Sequence, residues 1–519
     1  MKFKSVILIL LIISCVLVSC ASPATPATSP KENASTPNPS EPEVEYMDIY
    51  YDDRINLNEL IGGIAETVEI KDQVVTSNAV YSDKKDENVL VFDQSKFRVI
   101  ATGTGTATLV VDGKEYYIRV SPAPISVVII TGHSMGSGSK GNAEESVVCE
   151  AGQAYNTTLT INAETYGNNW KDDLKGSTLG YTSSDRVLNI DAITKDADKA
   201  KGARGVNSGL AYQWNKLTGE KIWVINCAVG GSCVNQWQPG QKWAEYTLEA
   251  MNYFANILKN EVEAGHYEYR TTSMINFSTS NFGYQKVEFD DEKLTKWHDD
   301  MWKFFSEGVT VDIDGDGQND GITSIGYVPD WTRARTAYSY DAPLIYFRAM
   351  SKKYPNVFLA SDYPRYWRTD AGVARSFPKI NYSVQNGSSL IRPTTSDQIY
   401  ADTNGHYFQV AYNAQGFEIA NALYGYVNKT HKVEAFEFYD ITDGGNPVAV
   451  KDSITLKLGK RYQFVLISDS FAASDIDIDV SDNLGLENLF YITAKAKGNG
   501  TITIKQGDRV IKTVNVEVN

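Results

Sequence analysis

Residues 126–136 read SVVIITGHSMG. Most of the first five are β-branched and apolar, which predicts a buried strand over Ile125 to Thr131. Gly132 ends this run, and Ser134 follows two positions later. An open α/β sheet places its reactive groups just beyond the carboxyl ends of its strands. The stretch therefore predicts an α/β sheet at the centre of the fold and makes Ser134 a candidate nucleophile.

Residues 123–430 alternate between strand-like and helix-like stretches. A second strand is predicted at Lys221 to Cys227, and helices are predicted at Trp243 to Asn260, Asp290 to Phe305, Ala342 to Lys353 and Asn413 to Tyr426. Strands that alternate with helices form parallel sheets covered on both faces. We therefore expect a three-layer α/β/α domain in this part of the chain.

The regions on either side of this domain are rich in short strands. Residues 103–109 read GTGTATL and residues 498–504 read GNGTITI. Each leads to a turn, Asp112-Gly113 or Gln506-Gly507-Asp508, and then to a last alternating strand, as in a hairpin. The shared Gly-x-Gly-Thr-x-Thr pattern resembles bacterial immunoglobulin-like domains of the Big type. This resemblance implies Ig-like β-sandwiches at residues 46–122 and 431–519.

The first twenty residues have the features of an export signal. Two lysines precede an apolar run from Val6 to Val18 that is too short to span a bilayer. The run ends at Leu17-Val18-Ser19-Cys20, which resembles a bacterial lipobox and implies lipidation of Cys20; an ordinary secretory signal with a chance cysteine is the alternative. Residues 21–45, rich in Pro, Ser and Thr, are predicted to be a linker. We therefore expect an extracytoplasmic lipoprotein anchored to the membrane by its lipid.

Bulk composition limits the number of domains and the kinds of partner. A chain of 519 residues predicts two to four domains at roughly 100–200 residues each. The net charge of −15 and the pI near 5.0 argue against a nucleic-acid partner. An acidic protein has no excess of basic side chains to displace counterions from the phosphates. Beyond the signal, Cys149, Cys227 and Cys233 remain; their spacing fits no zinc site and assigns no disulfide.

Two enzyme classes compete for the serine motif. Gly-His-Ser-Met-Gly fits the Gly-x-Ser-x-Gly elbow of lipases and other α/β-hydrolases. That elbow needs a helix directly after the serine, whereas residues 136–141 read GSGSKG, a poor helix start. It also needs several earlier strands, whereas Ser134 lies on the first strand after a β-rich region. A serine on the first strand resembles the SGNH hydrolases, whose central parallel sheet is flavodoxin-like.

A second block strengthens this resemblance. Residues 209–220 read GLAYQWNKLTGE, and residues 224–232 read VINCAVGGS. Both are similar to the sialate O-acetylesterases and carbohydrate esterase family 6, in which a Gly-Gly turn after a strand lends a backbone N–H to the oxyanion hole. Glycine lets such donors approach the negative oxygen of the tetrahedral intermediate. The resemblance implies that Gly230 and Gly231 join Ser134 in this role.

A third block, residues 400–406, reads YADTNGH and precedes the last predicted helix. It resembles the closing Asp-x-x-His of the family, which implies that His406 takes the proton of Ser134 while Asp402 orients the ring. Here three residues, rather than two, separate Asp402 from His406. The family's Gln-Gly-Glu block is missing near residues 277–281, where Asn281, or alternatively Ser280, is the candidate for a further oxyanion donor.

A separate acidic loop, residues 312–320, reads DIDGDGQND. Its spacing of acidic residues and its glycine match a calcium loop and resemble the loops of dockerins. Position 12 is Thr323, so the usual bidentate Glu is absent. We expect a structural ion here, and a solvated acidic turn is the alternative. The candidate ligands are Asp312, Asp314, Asp316, Gln318 and Asp320.

The three blocks together predict an SGNH-type serine esterase that acts through an acyl-enzyme and needs no cofactor for catalysis. The family resemblance implies that the substrate is an acylated glycan carrying acetyl esters. Trp237 and Trp331 lie near the proposed site loops and are candidates for stacking on sugar rings. The alternative is a glycan-binding or adhesion lipoprotein that has lost catalytic activity.

Overall fold

The computed structural model describes residues 44–78, 86–150, 152–158, 191–192, 203–230, 232, 234–277, 291–328, 354, 356–360, 366–368, 374–376, 408–427, 436–440, 448–468, 476–487 and 491–519. The described residues belong almost entirely to one compact unit, Tyr46–Asn519. The predicted export signal, Cys20 and most of the linker lie outside the described residues. Among the helices that are described, none combines the length and the apolar character needed to cross a membrane.

The described part of residues 46–121 forms seven strands and one short helix: β1 (Tyr46–Tyr50), β2 (Arg54–Asn56), α1 (Leu57–Ile61), β3 (Val68–Val75), β4 (Leu90–Asp93), β5 (Arg98–Ala101), β6 (Gly105–Val111) and β7 (Lys114–Ser121). They make two sheets, with the strand orders β1-β7-β6-β3 and β2-β5-β4. The predicted hairpin at Asp112-Gly113 is confirmed: both residues have positive φ, 49° and 79°, as a type I′ turn requires. The two-sheet arrangement agrees with a β-sandwich, and the Ig-like family name stays a prediction.

The centre of the chain is a seven-stranded sheet. Its strands are β8 (Ala123–Gly132), β9 (Ala154–Thr158), β10 (Asp191–Ala192), β11 (Lys221–Asn226), β12 (Tyr267–Phe277), β13 (Ser324–Val328) and β14 (Val357–Leu359). Their order is β10-β9-β11-β8-β12-β13-β14. β10 pairs antiparallel with β9, and the other six strands run parallel. The two predicted strands are thus confirmed as β8 and β11, with small shifts of their ends.

β8 lies where the path of the chain through the sheet reverses its direction. If β8, β11, β12, β13 and β14 are counted as one to five, their spatial order is 2-1-3-4-5, which is the flavodoxin-like order. The strands β9 and β10 extend this sheet beyond β11. In sheets of this kind ligands bind outside the carboxyl ends of the strands at the reversal point. Here that point is the carboxyl end of β8.

Four longer helices are found among the described residues: α2 (Asn207–Thr218), α3 (Lys242–Glu263), α4 (Asp291–Gly308) and α5 (Gln409–Val427). Three of them, α3, α4 and α5, confirm predicted helices, although α5 begins at Gln409 and not at Asn413. The helix predicted at Ala342 to Lys353 lies outside the described residues.

Helices cover both faces of the central sheet. Val128 and Ile130 of β8 share a core with buried residues of α2 and α5. The alternate residues, Val127 and Ile129, share another core with buried residues of α3 and α4. The predicted three-layer arrangement is therefore present. The second of these cores also contains residues of the N-terminal sheets, such as Leu109, so those sheets pack directly against the α/β domain.

The remaining strands lie near the end of the chain. Two of them, β15 (Tyr366–Arg368) and β16 (Ala374–Ser376), form an antiparallel pair. The others are β17 (Phe436–Asp440), β18 (Val448–Val450), β19 (Ser453–Leu456), β20 (Arg461–Ser468), β21 (Ile476–Val480), β22 (Leu484–Glu487), β23 (Tyr491–Ala494), β24 (Gly498–Gln506) and β25 (Arg509–Val518). They form two sheets, β18-β17-β20-β23-β22 and β19-β25-β24-β21, which share one core. The predicted turn at Gln506-Gly507-Asp508 joins β24 to β25.

Candidate active site

Ser134 lies two residues beyond the carboxyl end of β8, at the reversal point of the sheet. Gly132 ends the strand with a φ of 108°, and a Cβ at this position would lie 2.1 Å from the backbone oxygen of Phe277. Only glycine accepts both this conformation and this close approach to β12. The packing of Gly132 against β12 therefore determines where the chain leaves the sheet and where Ser134 stands. The side chain of Ser134 is largely buried.

The serine loop, residues 133–142, consists of successive turns after Ser134 and contains no α-helix. Ser139 N and Ser137 Oγ both donate to the backbone oxygen of Ser134 at 3.0 Å. Ser137 N donates to the backbone oxygen of His133 at 3.1 Å. The nucleophile elbow of an α/β-hydrolase continues directly into a helix. The observed turns therefore argue against the lipase alternative.

His133 is adjacent to Ser134 but serves the loop itself. Its Nδ1 accepts a hydrogen bond from Met135 N at 3.2 Å, and its ring is buried. An imidazole that accepts at Nδ1 cannot take a proton there without losing this bond. We therefore assign His133 a structural role in shaping the serine loop.

The glycine turn, residues 227–230, follows β11 and lies beside the end of β8. Cys227 N donates to Ile130 O, and Val229 N donates to Gly132 O, both at 2.8 Å. The parallel hydrogen-bond ladder thus continues past the end of β11 along the last residues of β8, so the glycine turn is bonded to Gly132, the residue that precedes the serine loop. The predicted companions Gly231 and Asn281 lie outside the described residues. The oxyanion-hole assignment therefore stays a prediction.

Trp237 is a core residue, so its predicted role in stacking on sugar rings is wrong. Its side chain is fully buried, and its Nε1 donates to Ser232 Oγ at 3.0 Å. Ser232 Oγ in turn donates to Gly132 O at 2.9 Å. A fully buried ring offers no face to a ligand, but this one supports the hydroxyl that ties Ser232 to the end of β8. The other candidate, Trp331, lies outside the described residues.

Two buried asparagines at strand ends contribute polar contacts that the sequence motifs did not reveal. Asn276 of β12 donates from Nδ2 to Thr131 Oγ1 at 2.9 Å. Asn226 of β11 donates from Nδ2 to Gly136 O at 2.8 Å. The signal available in the sequence was an amide at the end of an otherwise apolar strand, beside the predicted nucleophile.

Helix α5 is bonded to the serine loop through its first turn. Gln409 is fully buried, and its Oε1 accepts from Asn142 N at 3.1 Å and from Gly205 N at 3.0 Å. Tyr412 OH donates to Ser139 O at 3.0 Å. The first turn of α5 is thereby held against the serine loop.

The two predicted partners of Ser134 lie outside the described residues. Asp402 and His406 both precede α5, and His406 comes three positions before Gln409 in the sequence. Their catalytic roles stay predictions. Of the other histidines that are described, His266 has both ring nitrogens in contact with carboxylates, and His298 is buried on α4 with its ring centroid 5.3 Å from that of Tyr327.

Cys227 offers no competing nucleophile. Cys149 and Cys227 are both buried. Burial raises the pKa of Cys227 to about 12. A thiol reacts as its thiolate, and this one stays protonated at neutral pH. Cys233 lies outside the described residues.

The acidic loop brings three of the five predicted calcium ligands together. Carboxylate oxygens of Asp312, Asp314 and Asp320 all lie within 4.8 Å of one another. Burial raises the pKa of Asp320, and hydrogen bonds from Ile313 N and Asp314 N counteract this only in part. The remaining predicted ligands, Asp316 and Gln318, interact through a bond from Gln318 N to Asp316 Oδ1 at 2.7 Å. A hard cation such as Ca²⁺ prefers oxygen donors of this kind, and its presence stays a prediction.

No protein-family model matches this chain, and no curated protein sequence matches it. Among solved structures, it is similar to the X-ray structure of a protein from Arabidopsis thaliana, with 11% identity over 59% of this chain and 98% of that one, at a TM-score of 0.30. It is also similar to a carbohydrate acetylesterase from Xanthomonas citri, with 10% identity over 91% of this chain and 95% of that one, at a TM-score of 0.35. Both TM-scores and both identities are too low to assign an activity to this chain. The chain thus has a carbohydrate acetylesterase among its distant structural neighbours.

Proposed function

We propose that this protein is an extracytoplasmic serine esterase of the SGNH type that hydrolyses acyl esters, chiefly acetyl esters, on carbohydrates. The observation that carries the proposal is the position of Ser134. It follows the carboxyl end of β8 at the reversal point of a parallel sheet, where such sheets bind their ligands. The adjacent glycine turn is bonded to the same strand end.

In the proposed reaction, Ser134 Oγ attacks the carbonyl carbon of the ester while His406 takes its proton. Asp402 orients the imidazole and stabilises its cation. The tetrahedral intermediate collapses when the sugar oxygen leaves with the proton held by His406. Water then attacks the acyl-enzyme with His406 again acting as the base, which releases the carboxylic acid and restores Ser134.

Developing negative charge on the carbonyl oxygen needs preorganised donors. The backbone N–H groups of Ser134, Gly230 and Gly231 are the proposed donors, with the side chain of Asn281 as a fourth. For Gly230, no atom of the described residues lies within 4 Å of where a Cβ would stand. Packing within that part of the chain therefore does not require glycine at this position. Close approach of the reacting ester would explain why a glycine stands at position 230.

The path of the chain supports His406 as the base. Three residues span at most about 10 Å, and Gln409, three positions after His406, is bonded to Asn142 of the serine loop. Tyr412 OH also lies 3.7 Å from the sulfur of Met135, the residue next to Ser134. We therefore propose that His406 reaches the serine loop without a long connecting stretch of chain.

The proposal is tested with p-nitrophenyl acetate and an acetylated xylan, using wild type, Ser134→Ala and the control Ser139→Ala. Ser139 lies in the same loop, and its hydroxyl makes a long contact of 3.4 Å with Ser137 Oγ. We expect Ser134→Ala to lower kcat by about 10³-fold or more and Ser139→Ala to stay close to wild type. A wild type that binds the xylan without turnover would favour the glycan-binding alternative, to which the missing Gln-Gly-Glu block points.

A further inference from the structure

We infer that Asn226 is a positioning residue for this reaction, because its one amide group holds the serine loop and the glycine turn to each other. The inference rests on the proposed function and adds a residue that none of the three motif blocks assigned to catalysis.

Asn226 stands between the two segments that must cooperate. It is the last residue of β11 and pairs with Ile130 of β8 in the parallel ladder. Its Nδ2 donates to Gly136 O at 2.8 Å, two residues after Ser134. Its Oδ1 accepts from Ala228 N at 3.0 Å, two residues before Gly230. One planar group thus connects the nucleophile's loop to the turn of the proposed oxyanion hole.

The orientation of this amide is determined by the two backbone groups that it contacts, Gly136 O and Ala228 N, and its second N–H bonds to a buried side chain. The second hydrogen of Asn226 Nδ2 goes to Asn207 Oδ1 at 3.0 Å. Asn207, the first residue of α2, donates in turn to Asn156 Oδ1 of β9 at 2.6 Å. A flipped Asn226 amide would direct its oxygen at two acceptors and its N–H groups at a donor. Only the observed orientation satisfies all three contacts.

The catalytic consequence follows from the precision that acyl transfer demands. Oxyanion donors act at about 2.7–3.1 Å from the developing negative oxygen, and a misplacement of about 1 Å costs on the order of 10²-fold in rate. Ser134 and Gly230 lie on different segments, so their spacing depends on what joins those segments. Backbone hydrogen bonds join the glycine turn to the chain just before Ser134. The side chain of Asn226 joins it to the chain just after Ser134.

An amide suits this position better than a carboxylate. An aspartate in place of Asn226 would retain the acceptor for Ala228 N but would have no N–H for Gly136 O or Asn207 Oδ1. It would also add a negative charge next to the turn that carries the proposed oxyanion donor Gly230, where negative charge develops in the transition state. Asn226→Asp should therefore impair the reaction more than its loss of hydrogen bonds alone explains.

The test uses the full chain with the variants Asn226→Ala, Asn226→Asp and Asn226→Ser, with Asn156→Ala as the matched control. Asn156 is a buried amide at the far end of the same chain of side chains and contacts neither the serine loop nor the glycine turn in the bonds described. Serine at position 226 retains a hydroxyl that can accept from Ala228 N in a local turn but is too short to reach Gly136. This variant keeps the proposal testable if Asn226→Ala fails to fold.

The readouts are kcat and KM for p-nitrophenyl acetate, the inhibition constant of phenylboronic acid, and the urea midpoint of unfolding. Phenylboronic acid forms a tetrahedral adduct with an active-site serine and therefore reports on the geometry of the transition state. We expect Asn226→Ala and Asn226→Ser to lower kcat by about 10²-fold, with KM within about twofold and a parallel loss of boronate affinity. Asn156→Ala should lower the urea midpoint while retaining kcat.

Wild-type kcat and boronate affinity in Asn226→Ser would overturn the inference, because the bond to Gly136 would then have no catalytic effect. Equal losses of kcat in Asn226→Ala and Asn156→Ala would also overturn it, since they would indicate general loosening of the amide chain. Failure of the proposed function gives a different result. In that case Ser134→Ala would hydrolyse the ester as fast as wild type, and the role of Asn226 would be rejected together with the esterase proposal.

Discussion

At the carboxyl ends of its strands, here called the carboxyl edge, the central sheet is bonded to neighbouring segments by neutral amides. At the amino ends of its strands, here called the amino edge, it is bonded to them by charged side chains. Asn226, Asn276 and Gln409 are buried at the carboxyl edge, close to the serine loop. His266 and Lys221 are equally buried at the starts of β12 and β11. Both sets bond distant parts of the chain to the sheet, but by different chemistry.

His266 joins three segments at the amino edge. Its Nδ1 lies 2.6 Å from Glu261 Oε2 at the end of α3, and its Nε2 contacts Asp86 of the N-terminal region. The ring stacks on Tyr51 with a centroid distance of 4.3 Å and an interplanar angle of 9°. Burial alone would lower the pKa of His266, but hydrogen bonds to Asp86 and Glu261 outweigh it and raise that pKa. Both ring nitrogens thus face buried carboxylates, an arrangement that favours the imidazolium form.

Lys221 makes a second charged link at the same edge. Its Nζ donates to Asp53 Oδ1 at 2.7 Å and to Gly152 O at 2.9 Å. Asp53 precedes β2 of the N-terminal sheets and also accepts from Gln153 Nε2 at 2.8 Å. The N-terminal sheets are thus tied to the amino ends of β9, β11 and β12 by charge as well as by the shared apolar core.

The contrast assigns different tasks to the two edges. A buried charged pair binds strongly, but only while both partners keep their charge. Loss of one partner leaves the other buried without a counter-charge. A neutral amide keeps its geometry over a wide pH range and adds no net charge beside a reacting ester. We therefore expect changes at the amino edge to alter stability and changes at the carboxyl edge to alter the rate.

The largest expected effect is that of His266→Ala. The substitution leaves Asp86 and Glu261 buried near each other without a cation, which should lower the free energy of unfolding by about 3–5 kcal/mol. Urea denaturation measures this loss, and kcat measured well below the unfolding transition should stay near wild type. Lys71→Ala is the control, because its ion pair with Glu115 is exposed and contributes little. A His266→Ala variant as stable as Lys71→Ala would show that the charged contacts of His266 do not stabilise the amino edge.

Gly416→Ala tests whether α5 must stay close to α2. A Cβ at Gly416 would lie 2.5 Å from Leu210 N and from Val206 O, both backbone atoms of the α2 region. The helices would have to separate, at about 1–3 kcal/mol of stability, and the first turn of α5 would shift against the serine loop. We expect both the urea midpoint and kcat to fall. Gly63→Ala is the control, since no described atom lies within 4 Å of its Cβ position; equal behaviour of the two variants would contradict the close packing.

The pH dependence of stability should report on His266. Because its folded pKa is raised, its contribution is complete below the unfolded value of about 6.5 and is lost as the pH rises through the folded value. The loss amounts to about 1.4 kcal/mol for each pH unit by which the pKa is raised. Urea titrations above pH 6 should show this decline in wild type and not in His266→Gln. Parallel curves for the two proteins would mean that His266 does not titrate as proposed.

Local patterns in the sequence predicted elements well and long-range contacts poorly. The apolar run of β8 and the alternation around it were sufficient for the three-layer domain. Helix α5 begins earlier than its apolar pattern indicated, because the polar Gln409 is buried by bonds to Asn142 and Gly205, far away in sequence. Burial of polar groups by distant partners leaves no periodic signal.

The same limit explains what was missed at the site. Asn226 ends an apolar strand, but its bond to Gly136 crosses 90 positions of the chain. The bond between His266 and Asp86 crosses 180. The prediction that Trp237 stacks on sugar rings rests on its position near the site loops, and position along the chain does not indicate burial. Glycine and serine at a strand end are visible as a motif, because the turn itself requires them.

The smallest expected effect concerns the acidic loop, which precedes β13 and so belongs to the charged edge. Thr323, just after the loop, donates from its N to Thr272 O at 2.8 Å, so a bound ion would stabilise the junction with β12. We expect calcium at ten times its Kd to stabilise the protein by about 1.4 kcal/mol and to raise Tm by a few degrees. Differential scanning calorimetry with calcium and with EDTA measures this, and Asp508→Asn, in an exposed turn of another sheet, is the control.

The sign of one substitution separates a calcium site from a solvated acidic turn. Without an ion, the carboxylates of Asp312, Asp314 and Asp320 repel one another within 4.8 Å, so Asp314→Asn should raise Tm in EDTA. With calcium bound, the same carboxylates are ligands, and Asp314→Asn should lower Tm because it weakens the site. Reversal of the sign between the two conditions requires a cation at this loop. If Asp314→Asn raises Tm equally in both, the loop is an acidic turn, and the charged edge depends on His266 and Lys221 without a metal.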